Sequence, residues 1–125
     1  MLPLGTGNDL ARALRMPLDV EPAMVALASA QQEGRLIGMD LLELTHGQTK
    51  SVCANSVHGG IAPLIQAKFG DIFKSDCVDH IRCRELEIVE QPSDLDFTAD
   101  GEALGEPLQA IRILPGALRA VVGEG

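Results

Sequence analysis

The stretch Met1-Leu2-Pro3-Leu4-Gly5-Thr6-Gly7-Asn8-Asp9-Leu10-Ala11-Arg12 decides how the front of this chain folds. A short apolar run passes straight into a glycine turn, as the last residues of a strand do. It implies that the earlier part of that strand, and its sheet partners, lie outside the sequence. Beyond the turn, Asn8 or Asp9 suits the N-cap of a short helix over 10–14, in which Leu10, Ala13 and Leu14 share one apolar face and which Pro17 must end. A second helix follows. Glu21 favours its positive end, Pro22 is tolerated in its first turn, Met24, Val25, Leu27 and Ala28 run on to Gln31-Gln32-Glu33, and Gly34 stops it.

After Gly34 the pattern changes to short runs rich in Leu, Ile, Val and Thr. Segments 36–45 and 50–55 form a predicted strand pair around His46-Gly47-Gln48, which has hairpin-loop composition. Residues 61–69 are spaced as on a helix, with Pro63 in its first turn. Residues 70–82 follow neither period and read as irregular. Segment 84–90 alternates like a half-buried strand, and 97–99 is a short strand ending at the turn dipeptide Asp100-Gly101. Segments 108–114 and 118–122 read as two strands joined by a tight turn at Pro115-Gly116. The fold class is therefore α+β, with a domain boundary at the composition shift, giving 1–34 and 35–125.

Ten Lys and Arg against 18 Asp and Glu give a net charge of −8. Such a chain is repelled by a nucleic-acid backbone, so nucleic acid is not an expected partner. With 46% of residues hydrophobic, it has the material for a core. Cys53, Cys77 and Cys83 contain no CxxC spacing, so neither a disulfide scaffold nor a zinc site is suggested. They read as small buried apolar side chains, and a reducing cytoplasm is the expected location. No segment has the pattern of a signal peptide or a membrane span.

Two constellations have the chemistry of a site. Gly5-Thr6-Gly7-Asn8-Asp9 lets backbone approach a ligand closely, adds a hydroxyl, and opens a helix, which suits phosphate oxygens. An ordinary turn whose Asn and Asp only cap the helix is the plainer reading of those residues alone. Neither GxxxxGK[ST] nor GxGxxG is present. Asp100-Gly101-Glu102 brings two carboxylates to one turn, one to orient a cation or partner group and one to accept a proton from a hydroxyl. The plainer alternative is a hairpin turn. His46, in a turn, and His58 and His80 are given no role, and Asp94 and Asp96 read as a solvated run.

The string Pro3-Leu4-Gly5-Thr6-Gly7-Asn8-Asp9-Leu10-Ala11-Arg12 resembles the diacylglycerol kinase catalytic-domain family, which includes bacterial lipid kinases and sphingosine kinases. Three further pieces are similar to the family in the same order. They are Met39-Asp40-Leu41, Cys53-Ala54-Asn55-Ser56 with Gly59-Gly60-Ile61, and Asp100-Gly101-Glu102 with Ile113-Leu114-Pro115-Gly116-Ala117-Leu118.

The resemblance implies a remnant of an α/β nucleotide-binding domain, with a strand end, a Gly-rich turn and two helices, joined to a mostly antiparallel β-sandwich-like domain. It implies ATP and Mg²⁺ as cofactors and transfer of the γ-phosphate to a lipid hydroxyl, of diacylglycerol or a sphingoid or other lipid alcohol, at a membrane surface. Gly5, Thr6, Gly7, Asn8 and Asp9 would bind nucleotide. Asp100 and Glu102 would be catalytic, with Glu102 the general base, and a shared crevice would bring the two corners together.

The family's GGDGT loop is not in this sequence, and the stretch between Ile61 and Glu85 is short. His58-Gly59-Gly60-Ile61-Ala62-Pro63 aligns equally with a different glycine-rich part of the family. The resemblance thus implies an abbreviated, incomplete member with little or no kinase activity of its own. A noncatalytic anion-binding or interaction domain is the competing expectation, in which exposed sheet edges recruit a partner or a second copy.

Overall fold

The structure, a computed structural model, describes residues 2–4, 8–60, 79, 81–92 and 94–123. Two helices come first, α1 (Asp9–Ala13) and α2 (Val20–Glu33). Seven strands follow among the described residues: β1 (Leu36–His46), β2 (Thr49–Cys53), β3 (Val57–Gly59), β4 (Glu85–Glu87), β5 (Phe97–Ala99), β6 (Glu102–Ala103) and β7 (Leu108–Val121). One sheet has the order β2-β1-β7-β4 and the other β3-β5-β6. The architecture is α+β with antiparallel pairings, as the sequence predicts. The predicted helix over 61–69 and most of the irregular stretch 70–82 lie outside the described residues.

The chain forms two compact units. One comprises Met1–Leu41 with Leu114–Gly125, and the other Leu42–Ile113. These units are defined by contacts, whereas the boundary after Gly34 rests on composition.

In the first unit, α1 ends because Arg15 turns left-handed, at φ 54°, and the Met16 N–H reaches back to the Ala11 carbonyl at 2.9 Å. This is a Schellman-type closure with arginine where glycine is usual. Ala11 is buried within α1 and Leu14 at its C-cap, whereas Ala13, predicted on the apolar face, is exposed. Helix α2 closes in the same way on Gly34, at φ 67°, with the Arg35 N–H on Ala30 O at 2.8 Å. Ala11, Leu14 and Met16 form a core with Leu10, Ala26, Leu27, Met39 and Ala120. Met24 and Val25, part of the apolar run that suggested α2, face outward.

The predicted turn at Pro115-Gly116 does not form, because β7 continues through it. Gly116 keeps the left-handed conformation such a turn needs, at φ 59°, but donates its N–H to Asp40 Oδ1 at 2.8 Å. The dipeptide is absorbed as a local irregularity inside the strand, a use open to glycine there.

In the second unit, β1 and β2 form a hairpin whose register sets Leu44 opposite Ser51 and His46 opposite Thr49. Leu44, Cys53 and Leu108 are almost fully buried, and Val57, Phe97 and Ala99 from the other sheet, with Leu104 just after β6, pack on them. Two sheets thus share one core, as in a sandwich. Strand β4 pairs with β7 and is exposed along its length, including Leu86, whereas Ile88 just beyond it is half-buried against the core of Leu44, Cys53 and Leu108, so the half-buried pattern expected over 84–90 holds at Ile88 alone. On the exposed surface, Glu43 accepts hydrogen bonds from Lys50 at 3.0 Å and Arg112 at 2.9 Å. The Lys50 hydrogen bond, followed by the charge of Arg112, outweighs slight burial and lowers the carboxyl pKa.

Candidate functional site

Strands β5 and β6 are joined by two residues, Asp100 and Gly101, with Ala99 paired to Glu102. Both turn residues have positive φ, 50° and 90°, the signature of the primed turn that Asp-Gly favours. The hairpin reading and the site reading are compatible, because the turn aims the Asp100 side chain at the segment that follows β2. Its Oδ2 accepts the Ala54 N–H at 2.7 Å. Its Oδ1 accepts the N–H groups of Asn55 and Ser56, at 2.9 and 3.0 Å, and the Cys53 thiol at 3.1 Å. The Asp100 N–H, in turn, donates to Ser56 O at 2.9 Å.

Two segments that resemble the family separately, Cys53-Ala54-Asn55-Ser56 and Asp100-Gly101-Glu102, are therefore one knot. Burial pushes the Asp100 carboxyl up, but the hydrogen bonds from Ala54, Ser56, Cys53 and Asn55 outweigh it and hold it below the usual carboxylate range. Burial first, and the Asp100 contact second, push the Cys53 thiol up.

Glu102 stands on β6, exposed, on the wall of a cavity of about 400 Å³. The same wall carries His46, Ser51, Val52, Asp100 and Leu104. His46 is not the turn residue the sequence suggested. It ends β1 and is 7% exposed, with Nε2 at 2.9 Å from Ser51 Oγ. Its other ring nitrogen, Nδ1, is buried with no partner among the described residues.

Sequence reasoning missed both residues, although a signal existed. His46 continues the alternate-residue row Leu42, Leu44 of β1, and Ser51 lies two positions before Cys53 on β2. A second pair, His58 Nε2 and Ser56 Oγ, lies 2.9 Å apart beside the Asp100 knot.

Of the predicted nucleotide-binding residues, Gly5, Thr6 and Gly7 lie outside the described residues. Asn8 is left-handed, at φ 53°, at the N-cap position of α1, and its side chain makes no capping bond. The acid of Asp9 lies in that helix's first turn. Asn8 and Asp9 belong to the first unit, Asp100 and Glu102 to the second. Cys53 is buried as expected, Cys83 is exposed, and Cys77 lies outside the described residues.

The donor chemistry does not suit the implied Mg²⁺ at this corner. Both Asp100 oxygens already accept from the loop 53–56, and no group of three or more His, Cys, Asp or Glu able to hold a metal occurs among the described residues. No helix of the described residues is long and apolar enough to cross a membrane.

Residues 1–40 match the family model of the diacylglycerol kinase catalytic domain. That span holds the glycine string and Met39-Asp40, the first two of the four segments that carry the resemblance. No curated protein matches the chain.

Proposed function

We infer that this chain, whose residues 1–40 are of the diacylglycerol kinase catalytic-domain family, serves phosphoryl transfer from ATP to the hydroxyl of a lipid alcohol. Glu102 is the general base. The lipid oxygen forms a bond to the γ-phosphorus, the bond from that phosphorus to the ADP oxygen breaks, and the hydroxyl proton passes to the Glu102 carboxylate. Phosphoryl transfer depends chiefly on positioning and charge neutralisation, and a carboxylate held at a fixed place is what this unit contributes. Gly5, Thr6, Gly7, Asn8 and Asp9 hold the nucleotide phosphates in this reading.

The observation that carries this reading is the knot around Asp100. Four donors fix the Asp100-Gly101 turn, and the residue that leaves it, Glu102, is thereby held on the cavity wall. Asp100 acts as a positioning residue for that carboxylate.

The GGDGT run absent from the sequence has to be supplied for a test. The chain is joined behind a GGDGT-bearing segment of a diacylglycerol kinase, and transfer of labelled γ-phosphate is followed to diacylglycerol, ceramide and a sphingoid base in vesicles. Labelled lipid is expected, falling by about a hundredfold or more in Glu102→Gln with ATP affinity unchanged. Asn8→Ala should instead weaken ATP binding. No labelled lipid from any acceptor, or full turnover by Glu102→Gln, refutes the assignment.

A further inference from the structure

The cavity beside Glu102 has a second polar element, the pair His46 and Ser51, and the direction of their hydrogen bond decides its chemistry. At 2.9 Å the pair has the spacing of a base and a nucleophile. For His46 Nε2 to accept the Ser51 proton, however, the neutral ring must carry its hydrogen on Nδ1. That atom is buried and has no partner among the described residues. A buried N–H without an acceptor is rarer in proteins than an acceptor left unfilled. The tautomer that leaves no buried N–H unpaired carries its hydrogen on Nε2 and donates it to Ser51 Oγ. This occupies the serine oxygen as an acceptor and leaves the serine proton to be donated elsewhere.

We propose that this cavity binds an alcohol group, with Ser51 donating its proton to the alcohol oxygen and Glu102 accepting the alcohol's own proton, while His46 is the positioning residue that sets the direction of the Ser51 hydroxyl. Donor and acceptor stand on the wall of the same cavity, Ser51 on β2 and Glu102 on β6, and both belong to the second unit. A hydroxyl matches that pair because it donates once and accepts through its oxygen. The identification of the alcohol as a lipid acceptor rests on the function proposed above. The two hydrogen bonds do not.

The test is a titration of the whole chain with dioctanoylglycerol, followed by proton–nitrogen correlation spectra. Saturable shifts are expected at Ser51, Val52, Ala103 and Leu104. Ser51→Ala should raise the Kd about tenfold, the loss of one hydrogen bond. His46→Leu should raise it similarly, and His46→Gln, whose amide N–H can still donate to Ser51, should restore most of the affinity. Histidine ring-nitrogen spectra should show His46 protonated on Nε2, a readout that a merely structural histidine has no reason to couple to ligand affinity.

Absence of binding, shifts confined to other surfaces, an unchanged Kd in folded Ser51→Ala, or a hydrogen on Nδ1 each overturns the proposal. Binding with the expected pattern, while the joined protein transfers no phosphate, supports this site and refutes the kinase reading. Transfer by a joined Ser51→Ala protein at unchanged alcohol KM refutes this site and leaves the kinase reading standing.

Discussion

Cys53 and Asp100, 47 positions apart, meet through a thiol-to-carboxylate hydrogen bond of 3.1 Å. Around it the N–H groups of Ala54, Asn55 and Ser56 close on the same carboxylate, so a hairpin turn and a loop from another sheet are tied at one side chain. Backbone N–H groups converging on an anion form a concave binding nest, and here the chain supplies its own anion. The arrangement makes Asp100 a structural element of the second unit, and its consequences are measurable.

Asp100→Ala should destabilise the second unit by about 1–2 kcal/mol at neutral pH, because three backbone donors and a thiol lose their acceptor while remaining open enough for water to replace part of the loss. Asp100→Asn should cost less, since asparagine tolerates the left-handed turn position and keeps one oxygen. Thermal unfolding followed by circular dichroism measures both.

Acid should remove that stability in a defined direction. The folded Asp100 pKa is lowered against its ordinary value, so its contribution is fully present above the unfolded value, near 4, and disappears as pH falls through the folded value. The gap in melting temperature between wild type and Asp100→Asn should therefore be constant from about pH 7 to pH 5 and shrink below pH 4. A gap that widened on acidification would contradict the carboxylate's assigned role.

The cysteines should separate by reactivity. Cys53 is buried, and burial together with its contact to Asp100 raises its pKa, so little thiolate is present at neutral pH. Cys83 is exposed. Brief treatment of the folded chain with a maleimide, followed by peptide mass spectrometry, should label Cys83 and spare Cys53 until denaturant is added. Equal labelling of the two would mean that the loop 53–56 opens readily.

The sequence disclosed local structure better than it disclosed partnership. Gly34 as a helix stop, Glu21 in the first turn of α2 and Asp100-Gly101 as a hairpin turn all depend on backbone preferences within a few residues, and each stands as read. Pro115-Gly116 was misread because a left-handed glycine serves a turn or an irregular strand equally well. The acceptor that decided it, Asp40, lies 76 residues away. The polar wall was legible only in part. Glu102 follows a recognisable turn, and the alternation of β1 marks His46 as inward-facing, but the pairing that sets it beside Ser51 comes from cross-strand register.

Arg15 offers a stabilising change. Its left-handed conformation, φ 54°, costs a non-glycine residue about 1 kcal/mol, and the motif it closes ordinarily uses glycine. Arg15→Gly should raise the stability of the first unit by about 0.5–1 kcal/mol in urea unfolding, offset in part by greater freedom of the unfolded chain. Arg15→Ala, which keeps the strain, should not. The neighbouring constraint runs the other way. A Cβ on Gly123 would meet the Arg15 carbonyl oxygen, so Gly123→Ala should destabilise the same unit.

Gly59, in a segment that carries the family resemblance, has a packing reason to be glycine. It pairs with Phe97 across β3 and β5, and a Cβ built on it would lie 2.5 Å from Phe97 Cε1 and 2.7 Å from Cδ1. The ring cannot retreat freely, because Phe97 packs on the core of Leu44, Cys53 and Leu108. Gly59→Ala should therefore cost about 1–3 kcal/mol, as overpacking of a fitted core does. Phe97→Leu removes the ring and should cost stability alone, yet it relieves the clash, so the double variant should be less destabilised than the sum of the two single ones. A double-mutant cycle by chemical denaturation measures that coupling. Strict additivity would show that the glycine is needed for something other than room for the ring.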